Sequence, residues 1–344
     1  MSSGRRGVLA TVALAVMAAC AEPASDDADA ATADPAALVG LSTSCEELSS
    51  VPGMSIERVD ADEGRVKLRI GIMDPTGEAR GDVLFLHGFS DRFDNHLPLF
   101  EGWRAAGLRV VAFDYPSHGE TCGRGIDRFK IEGLAKLASF VEEHTRPASA
   151  RPLVVAGWST GGLVAVRTLQ VPSLALGRKV DGAFLLAPGL DVKVLVGDKQ
   201  RVTLETLTHD PAPPHRGEIS PSSPLQTPLF SSDLLLHARH ARKDAYPKDV
   251  PTVVVTGGER EDVYANTAGV RDWVETRRAE GAAVQGLACD GGRHELDNEL
   301  PPIRDEVRES AARFARWVAD GGRGRLPLAS GQGCVRHGPS RGFD

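Results

Sequence analysis

Gly157-Trp158-Ser159-Thr160-Gly161-Gly162 is the stretch from which this chain is best read. It follows Leu153–Ala156, a short apolar run that reads as a strand. It precedes Leu163, Val164, Val166 and Leu169, whose spacing predicts a helix. G-x-S-x-G between a strand and a helix predicts a very tight turn with small residues on both sides of the serine. Such a turn lifts the Ser159 hydroxyl above the sheet edge, near the positive end of the following helix. A serine hydroxyl is a weak nucleophile until a base takes its proton. The turn therefore directs attention to a base, an acid and an oxyanion site elsewhere in the chain.

Similar runs recur on both sides. Ser55–Asp60 and Arg65–Ile72 read as two strands joined by a turn at Asp62-Glu63-Gly64. Asp82–Leu86, Arg109–Phe113, Ala183–Leu186, Thr252–Val255 and Ala283–Leu287 read as further strands. Continuous apolar runs of this kind suit a parallel sheet buried on both faces. Helical periodicity fills the gaps. Ile131, Leu134, Leu137, Phe140 and Val141 share one face, as do Ile303, Val307, Phe314 and Val318. The alternation predicts a doubly wound α/β fold: a mostly parallel central sheet flanked by helices. In such sheets functional groups gather at the carboxyl edge, where the punctuating motifs of this chain lie.

Of the ten histidines, His294 has the right placement for a base. It follows the last predicted strand and precedes the last predicted helix. His87 and His118 precede the serine, His237 and His240 read as a solvated helix face, and His209 and His215 lie in a Pro-rich loop. The third group is a carboxylate that fixes the imidazole tautomer and stabilises its charged form. It should follow Thr252–Val255, where Asp262 and Glu261 both qualify, with a slight preference for Asp262. An oxyanion site needs two backbone N–H donors. Thr160, directly after the serine, is one candidate, and Phe89 in His87-Gly88-Phe89-Ser90 is the other.

Together these residues resemble the monoacylglycerol lipase, lysophospholipase and serine-aminopeptidase-like branch of the α/β-hydrolases. The resemblance covers about residues 55 to 320. It rests on Leu86-His87-Gly88, on Phe113-Asp114-Tyr115-Pro116-Ser117-His118-Gly119-Glu120-Thr121, on the serine turn, and on His294 through Glu299-Leu300-Pro301. Ser117 and Thr121 replace Gly and Ser of the family loop, and Trp158 and Thr160 stand where His and Met are usual. The resemblance implies an α/β-hydrolase fold with a cap inserted after the sixth strand, here about residues 191 to 248. Val194, Leu195, Leu204, Leu207, Leu225, Leu229 and Leu234–Leu236 are the apolar groups of that segment. It implies ester hydrolysis through an acyl-enzyme, with no cofactor and no metal, on monoacyl lipids such as monoacylglycerol or lysophospholipid. A small-ester or peptide-bond hydrolase is the nearest rival. An aminopeptidase would need acids to hold an amine, and nothing marks Glu205 or Glu218 for that role. A catalytically inactive, lipid-anchored binding protein is a rival of a different kind, and the intact Ser159 and His294 argue against it.

The ends of the chain carry a different message. Arg5-Arg6 and the apolar run Gly7–Ala19 form an export signal too short to span a bilayer as a mature helix. The run ends in Met17-Ala18-Ala19-Cys20, which resembles the lipobox of bacterial lipoproteins, so Cys20 is the expected site of lipidation. An ordinary signal peptide cut slightly later is the alternative. Residues 21–40, rich in Ala, Asp and Pro, read as a disordered tether, residues 41–320 as the catalytic domain, and residues 321–344 as an irregular tail unless Cys334 pins it. The chain is expected to be an exported, membrane-anchored lipoprotein. Ala21 after Cys20 favours the outer membrane, facing the periplasm, if the source is a diderm bacterium. Beyond Cys20 there remain Cys45, Cys122, Cys289 and Cys334, an even set compatible with two disulfides in any of three pairings. A staple between Cys45 and Cys334, which flank the domain, is attractive. No C-x-x-C pair is present, which argues against a structural zinc site. A length of 344 residues, 41% of them hydrophobic, supports a sizeable core, and the net charge of -7 gives no reason to expect a nucleic-acid partner.

Overall fold

The structure is a computed structural model that describes residues 45–123, 130–193, 202–216, 226–337 and 342–343. Cys20, the export signal, the tether, Val194, Leu195, Leu225 and the side chain of Leu229 lie outside the described residues.

Among the described residues the main sheet has ten strands. An antiparallel pair, β1 (Ser55–Ala61) and β2 (Val66–Met73), opens it. Their turn places Asp62, Glu63 and Gly64 at positive φ. The central strands are β3 (Gly81–Leu86), β4 (Leu108–Phe113), β6 (Leu153–Trp158), β7 (Gly182–Leu186), β8 (Thr252–Thr256) and β9 (Val284–Ala288). They run parallel in the order β4-β3-β6-β7-β8-β9, with β2 antiparallel on β4. The two-residue strand β5 (Cys122–Gly123) pairs with β2 at its turn end. The sheet buries both faces by simple alternation. Val83 and Phe85 of β3 join one cluster with Val154, Ala156, Phe184, Val253 and Val255. Leu84 and Leu86 join the other with Val155, Leu185 and Val254.

Helices supply the two outer layers. On the first face lie α1 (Leu97–Ala105) and α7 (Ile303–Ala319), through Leu99, Phe100, Trp103, Val307 and Phe314. On the second lie α2 (Ile131–Thr145), α3 (Thr160–Gln170) and α6 (Thr267–Ala279), through Ile131, Leu134, Leu163, Val164, Val270 and Trp273. The insertion after β7 contributes α4 (Leu204–Leu207) and α5 (Gln226–Lys243), whose Phe230, Ala238 and Ala241 pack into the second cluster. His237, expected on a solvated face, is buried beside Asp233.

The cysteines pair as Cys45–Cys122 and Cys289–Cys334, so a Cys45–Cys334 staple does not form. The reason lies in the sheet. Cys122 belongs to β5 beside β2, whereas Cys334 precedes β11 (Val335–His337) beside β9. β2 and β9 are six strand spacings apart in the sheet order, roughly 30 Å, far beyond the reach of a disulfide. Cys334 thus pins the tail, whose described residues carry only short strands between irregular stretches. Cys334 brings β11 antiparallel onto β9, and β10 (Gly324–Arg325) pairs with β12 (Gly342–Phe343). Leu326 and Leu328 are buried against the first face.

Cross-linking over a separation of 45 residues removes denatured-state entropy worth about 4 kcal/mol in the chain-entropy picture. Replacing Cys289 and Cys334 together by serine is therefore expected to lower the urea midpoint markedly. An unchanged midpoint would show that the tail strand holds without its link.

Candidate active site

The order β3-β6-β7-β8-β9 places the ends of five parallel strands side by side. Four of them end in loops singled out by sequence, His87 after β3, Ser159 after β6, Gly257–Asp262 after β8 and Asp290–His294 after β9, and β7 between them ends at Ala187-Pro188. The topology alone thus collects them on one edge.

Ser159 itself adopts φ 53° and ψ −116°. Its neighbours explain why glycines are needed. A Cβ on Gly157 would lie 2.4 Å from the Gly161 carbonyl oxygen, and a Cβ on Gly161 would lie 1.9 Å from the Leu86 carbonyl oxygen. The turn is tied down by the Ser159 N–H donating to the Leu186 carbonyl at 2.9 Å, and by the Leu163 and Gly189 N–H groups donating to the Ser159 carbonyl. Thr160 is the first residue of α3, so its N–H has no acceptor within the helix.

His294 Nε2 lies 2.8 Å from Ser159 Oγ, and His294 Nδ1 lies 3.0 Å from both carboxylate oxygens of Asp262. Asp262 is fully buried and accepts the Tyr264 and Ala265 N–H groups, each at 2.9 Å. With Nδ1–H donated to Asp262, Nε2 is left to accept the Ser159 proton. Of the two candidate acids, the structure brings Asp262 to His294. Glu261 is partly exposed and turns its carboxylate over Gly258.

Phe89 lies beyond Gly88 on the loop leaving β3. That loop is fixed by two neutral histidines. His87 Nε2 accepts the Tyr115 N–H and His118 Nε2 accepts the Ser90 N–H, both at 3.0 Å. Their other ring nitrogens face the Gly88 and Pro116 carbonyls. Burial pushes His87 down to about 3 and His118 to about 4, so both stay neutral acceptors near neutral pH. Gly88 is required because a Cβ there would lie 2.5 Å from the Trp158 ring. The Phe89 ring stacks on Phe230 of α5 with centroids 4.5 Å apart, so the insertion touches the same loop.

Residues 202–216 of the insertion lie on the His294 loop. The Glu295 N–H donates to the Leu207 carbonyl, His215 pairs with Glu295 at 2.8 Å, and His209 pairs with Glu299 at 3.1 Å. Burial pushes the His215 imidazole down, but the hydrogen bond and charge of Glu295 outweigh it and raise its affinity for a proton. In the sequence His209 and His215 read only as residues of a Pro-rich loop, and His96, Asp91 and Asp297 do not stand out. No motif marks these residues, and their partners lie 80 residues or more away in sequence for His215 and 201 away for His96 and Asp297. Among the described residues, no cluster of three or more His, Cys, Asp or Glu is placed to hold a metal ion.

A sequence model of the alpha/beta hydrolase family matches residues 83–333. Two curated relatives match shorter stretches. A Mycoplasma pneumoniae protein named as an esterase/lipase is 25% identical over 132 residues, which is 38% of this chain and 46% of that protein. A monoacylglycerol lipase of Mycolicibacterium smegmatis is 27% identical over 126 residues, 37% of this chain and 38% of that protein. The matched stretch is thus less than half the length of either relative. Among solved structures, a soluble variant of monoglyceride lipase from Saccharomyces cerevisiae superposes with a TM-score of 0.58 at 15% identity. That superposition covers 80% of this chain and 97% of the yeast chain. At that identity the likeness is one of fold.

Because the folded chain refuses a proton at His118 that the unfolded chain accepts near pH 6.5, stability contributed by this residue is lost as pH falls from about 6.5 towards 4. Asp114 acts in the opposite sense, since burial, only partly offset by Arg69, pushes its carboxyl up to about 6. Comparing urea midpoints at pH 7 and pH 5 in wild type and His118→Gln isolates the histidine. The Gln carbonyl can still accept the Ser90 N–H. The variant should lose less stability between the two pH values, by roughly 1–2 kcal/mol, and equal losses would contradict a neutral His118.

Proposed function

The chain belongs to the alpha/beta hydrolase family, and from that premise we propose that it is a serine carboxylic ester hydrolase working through an acyl-enzyme on Ser159. The observation that carries the proposal is the unbroken relay from Ser159 Oγ to His294 Nε2 at 2.8 Å and from His294 Nδ1 to Asp262 at 3.0 Å. Ser159 attacks the ester carbonyl while His294 removes its proton. Asp262 holds the tautomer and stabilises the imidazolium. The Thr160 and Phe89 N–H groups receive the oxyanion. His294 then returns the proton to the departing alcohol. A water molecule, activated by the same imidazole, cleaves the acyl-enzyme and releases the acid.

The preferred substrates are monoacyl lipids, monoacylglycerol or lysophospholipid. Three features support this. A relative and a solved structural neighbour are named as monoacylglycerol and monoglyceride lipases. Phe89 of the oxyanion loop stacks on Phe230 of α5, an apolar pair at the expected oxyanion donor. The sequence before residue 45 reads as a lipid anchor at Cys20 followed by a tether, which would hold the domain at a membrane surface. The two disulfides fit export into an oxidising compartment. If the host is a diderm bacterium, the location we propose is the outer membrane, facing the periplasm.

Fluorophosphonate labelling of the purified protein beside Ser159→Ala, with turnover of p-nitrophenyl esters of short and long chain, tests the reading. Labelling and turnover should both vanish in Ser159→Ala. Asp262→Asn should lower kcat by several orders of magnitude, about 10⁴-fold where the wrong tautomer is imposed, whereas Glu261→Gln should stay close to wild type. Preference for long chains over short, and for monoacylglycerol over triacylglycerol, is expected. Labelling that survives in Ser159→Ala would remove the nucleophile assignment, and a strict short-chain preference would remove the lipid assignment.

A further inference from the structure

His96 lies at the end of a short 3-10 turn, Phe93–His96, and is fully buried between Phe85 and Trp158. Its Nε2 is 2.9 Å from Asp91 Oδ2 and its Nδ1 is 2.8 Å from Asp297 Oδ2. Both carboxylates are buried as well. Their positions in the chain give the arrangement its meaning. Asp91 is two residues beyond Phe89 on the loop leaving β3, and Asp297 is three residues beyond His294 on the loop leaving β9. β3 and β9 are separated by β6, β7 and β8, four strand spacings or roughly 20 Å. No ladder of the sheet joins them directly. The imidazole spans the space between the two loops.

Building on the proposed function, we propose that His96, bridging Asp91 and Asp297, is a positioning residue that locks the oxyanion loop and the His294 loop into one geometry over Ser159. A neutral imidazole carries one N–H and can serve one carboxylate as donor. Two carboxylates at hydrogen-bond distance call for the imidazolium. Burial opposes that charge, but Asp297 and Asp91 outweigh it and hold the group protonated well above the ordinary histidine range. Burial also pushes the Asp91 carboxyl up, and His96 overcomes this and holds it at about 2. Charge-assisted bonds of this kind are short and directional, which is what a geometric lock needs. The surrounding contacts act in the same direction. Asn95 Nδ2 donates to Asp91 Oδ1 at 2.7 Å, and Asn298 Nδ2 donates to the Asn95 carbonyl at 3.0 Å. The Trp158 indole N–H donates to the His294 carbonyl at 2.9 Å. The next charges outward are Glu295 with its partner His215, and Arg308 of α7, which donates to Asn298.

The function of the lock follows from tolerances. Acyl transfer needs the base and the oxyanion donors placed to within about 1 Å, and a displacement of that size costs on the order of 100-fold. Loosening the bridge should therefore lower kcat and the rate of fluorophosphonate labelling together, with KM little changed. The variants are Asp297→Asn, Asp91→Asn and His96→Gln. Asp82→Asn serves as the stability control, since Asp82 is buried at the opposite edge of the sheet with Arg151 and Arg178.

Turnover of p-nitrophenyl butyrate is measured well below each melting temperature, per site titrated by fluorophosphonate. The account predicts a kcat per site reduced by roughly 10- to 100-fold in the bridge variants, and unchanged in Asp82→Asn. Wild-type kcat per site in Asp297→Asn and Asp91→Asn would overturn it. Should these variants fail to fold, ¹⁵N histidine spectra of the wild type decide. Both ring nitrogens of one buried histidine should remain protonated at pH 8, where exposed imidazoles are neutral, and the finding of one bare nitrogen on His96 would overturn the bridge. Wild-type protein that neither labels nor turns over would instead sink the reading of function, and the nitrogen spectra would still judge the bridge.

Discussion

Ser159 is held at φ 53° and ψ −116°, a sparsely populated backbone state that costs a non-glycine residue on the order of 1–3 kcal/mol. That state depends on what is missing around it. The Leu86 and Gly161 carbonyls pass so close that a side chain at Gly161 or Gly157 would collide with backbone, which cannot move aside. Three backbone hydrogen bonds then hold the turn, one to β7 and two onto the Ser159 carbonyl. The hydroxyl is thereby presented at the sheet edge in a fixed direction. Every other group of the site has meaning only by its distance from that point.

The remaining groups reach it by topology and by buried polar contacts. β6 lies between β3 and β7, so the loop after β3 is adjacent to the serine without further design. The His294 loop comes from β9, three strands from β6, and must be brought back over the edge. It is carried by Asp262 on one side, by the Trp158 indole beneath, and by the insertion through Leu207, His209 and His215 above. The carboxyl groups of Asp262, Glu295 and Glu299 among these partners are almost fully buried. Each would be costly to leave unpaired, so the arrangement tolerates few alternatives.

Much of this could be read from the sequence because the signals were local. The six strands of continuous apolar residues emerge within a residue or two of the expected bounds, since runs buried on both faces leave no polar alternation to mislead. The serine turn is legible because its glycines are dictated by close backbone approach. Asp262 and Glu261 could not be separated, because one residue of loop length decides which carboxylate turns inward. The disulfide pairing and the tail strand escaped for a different reason. Cys334 finds Cys289 only once β9 has its place at the sheet edge, and nothing in the local sequence of residues 321–337 encodes a strand. The bridge at His96 escaped for the same reason: Asp91 is only five residues away, but Asp297, which gives the pair its meaning, lies 201 residues further along the chain.

The central claim is that Ser159 carries an acyl group during turnover, and acid-quenched peptide mapping by mass spectrometry tests it most directly. Protein quenched during steady turnover of p-nitrophenyl butyrate should show one butyryl group on the peptide that contains Ser159 and on no other. Product formation with that peptide unmodified, or with the acyl group on a different residue, would contradict the account.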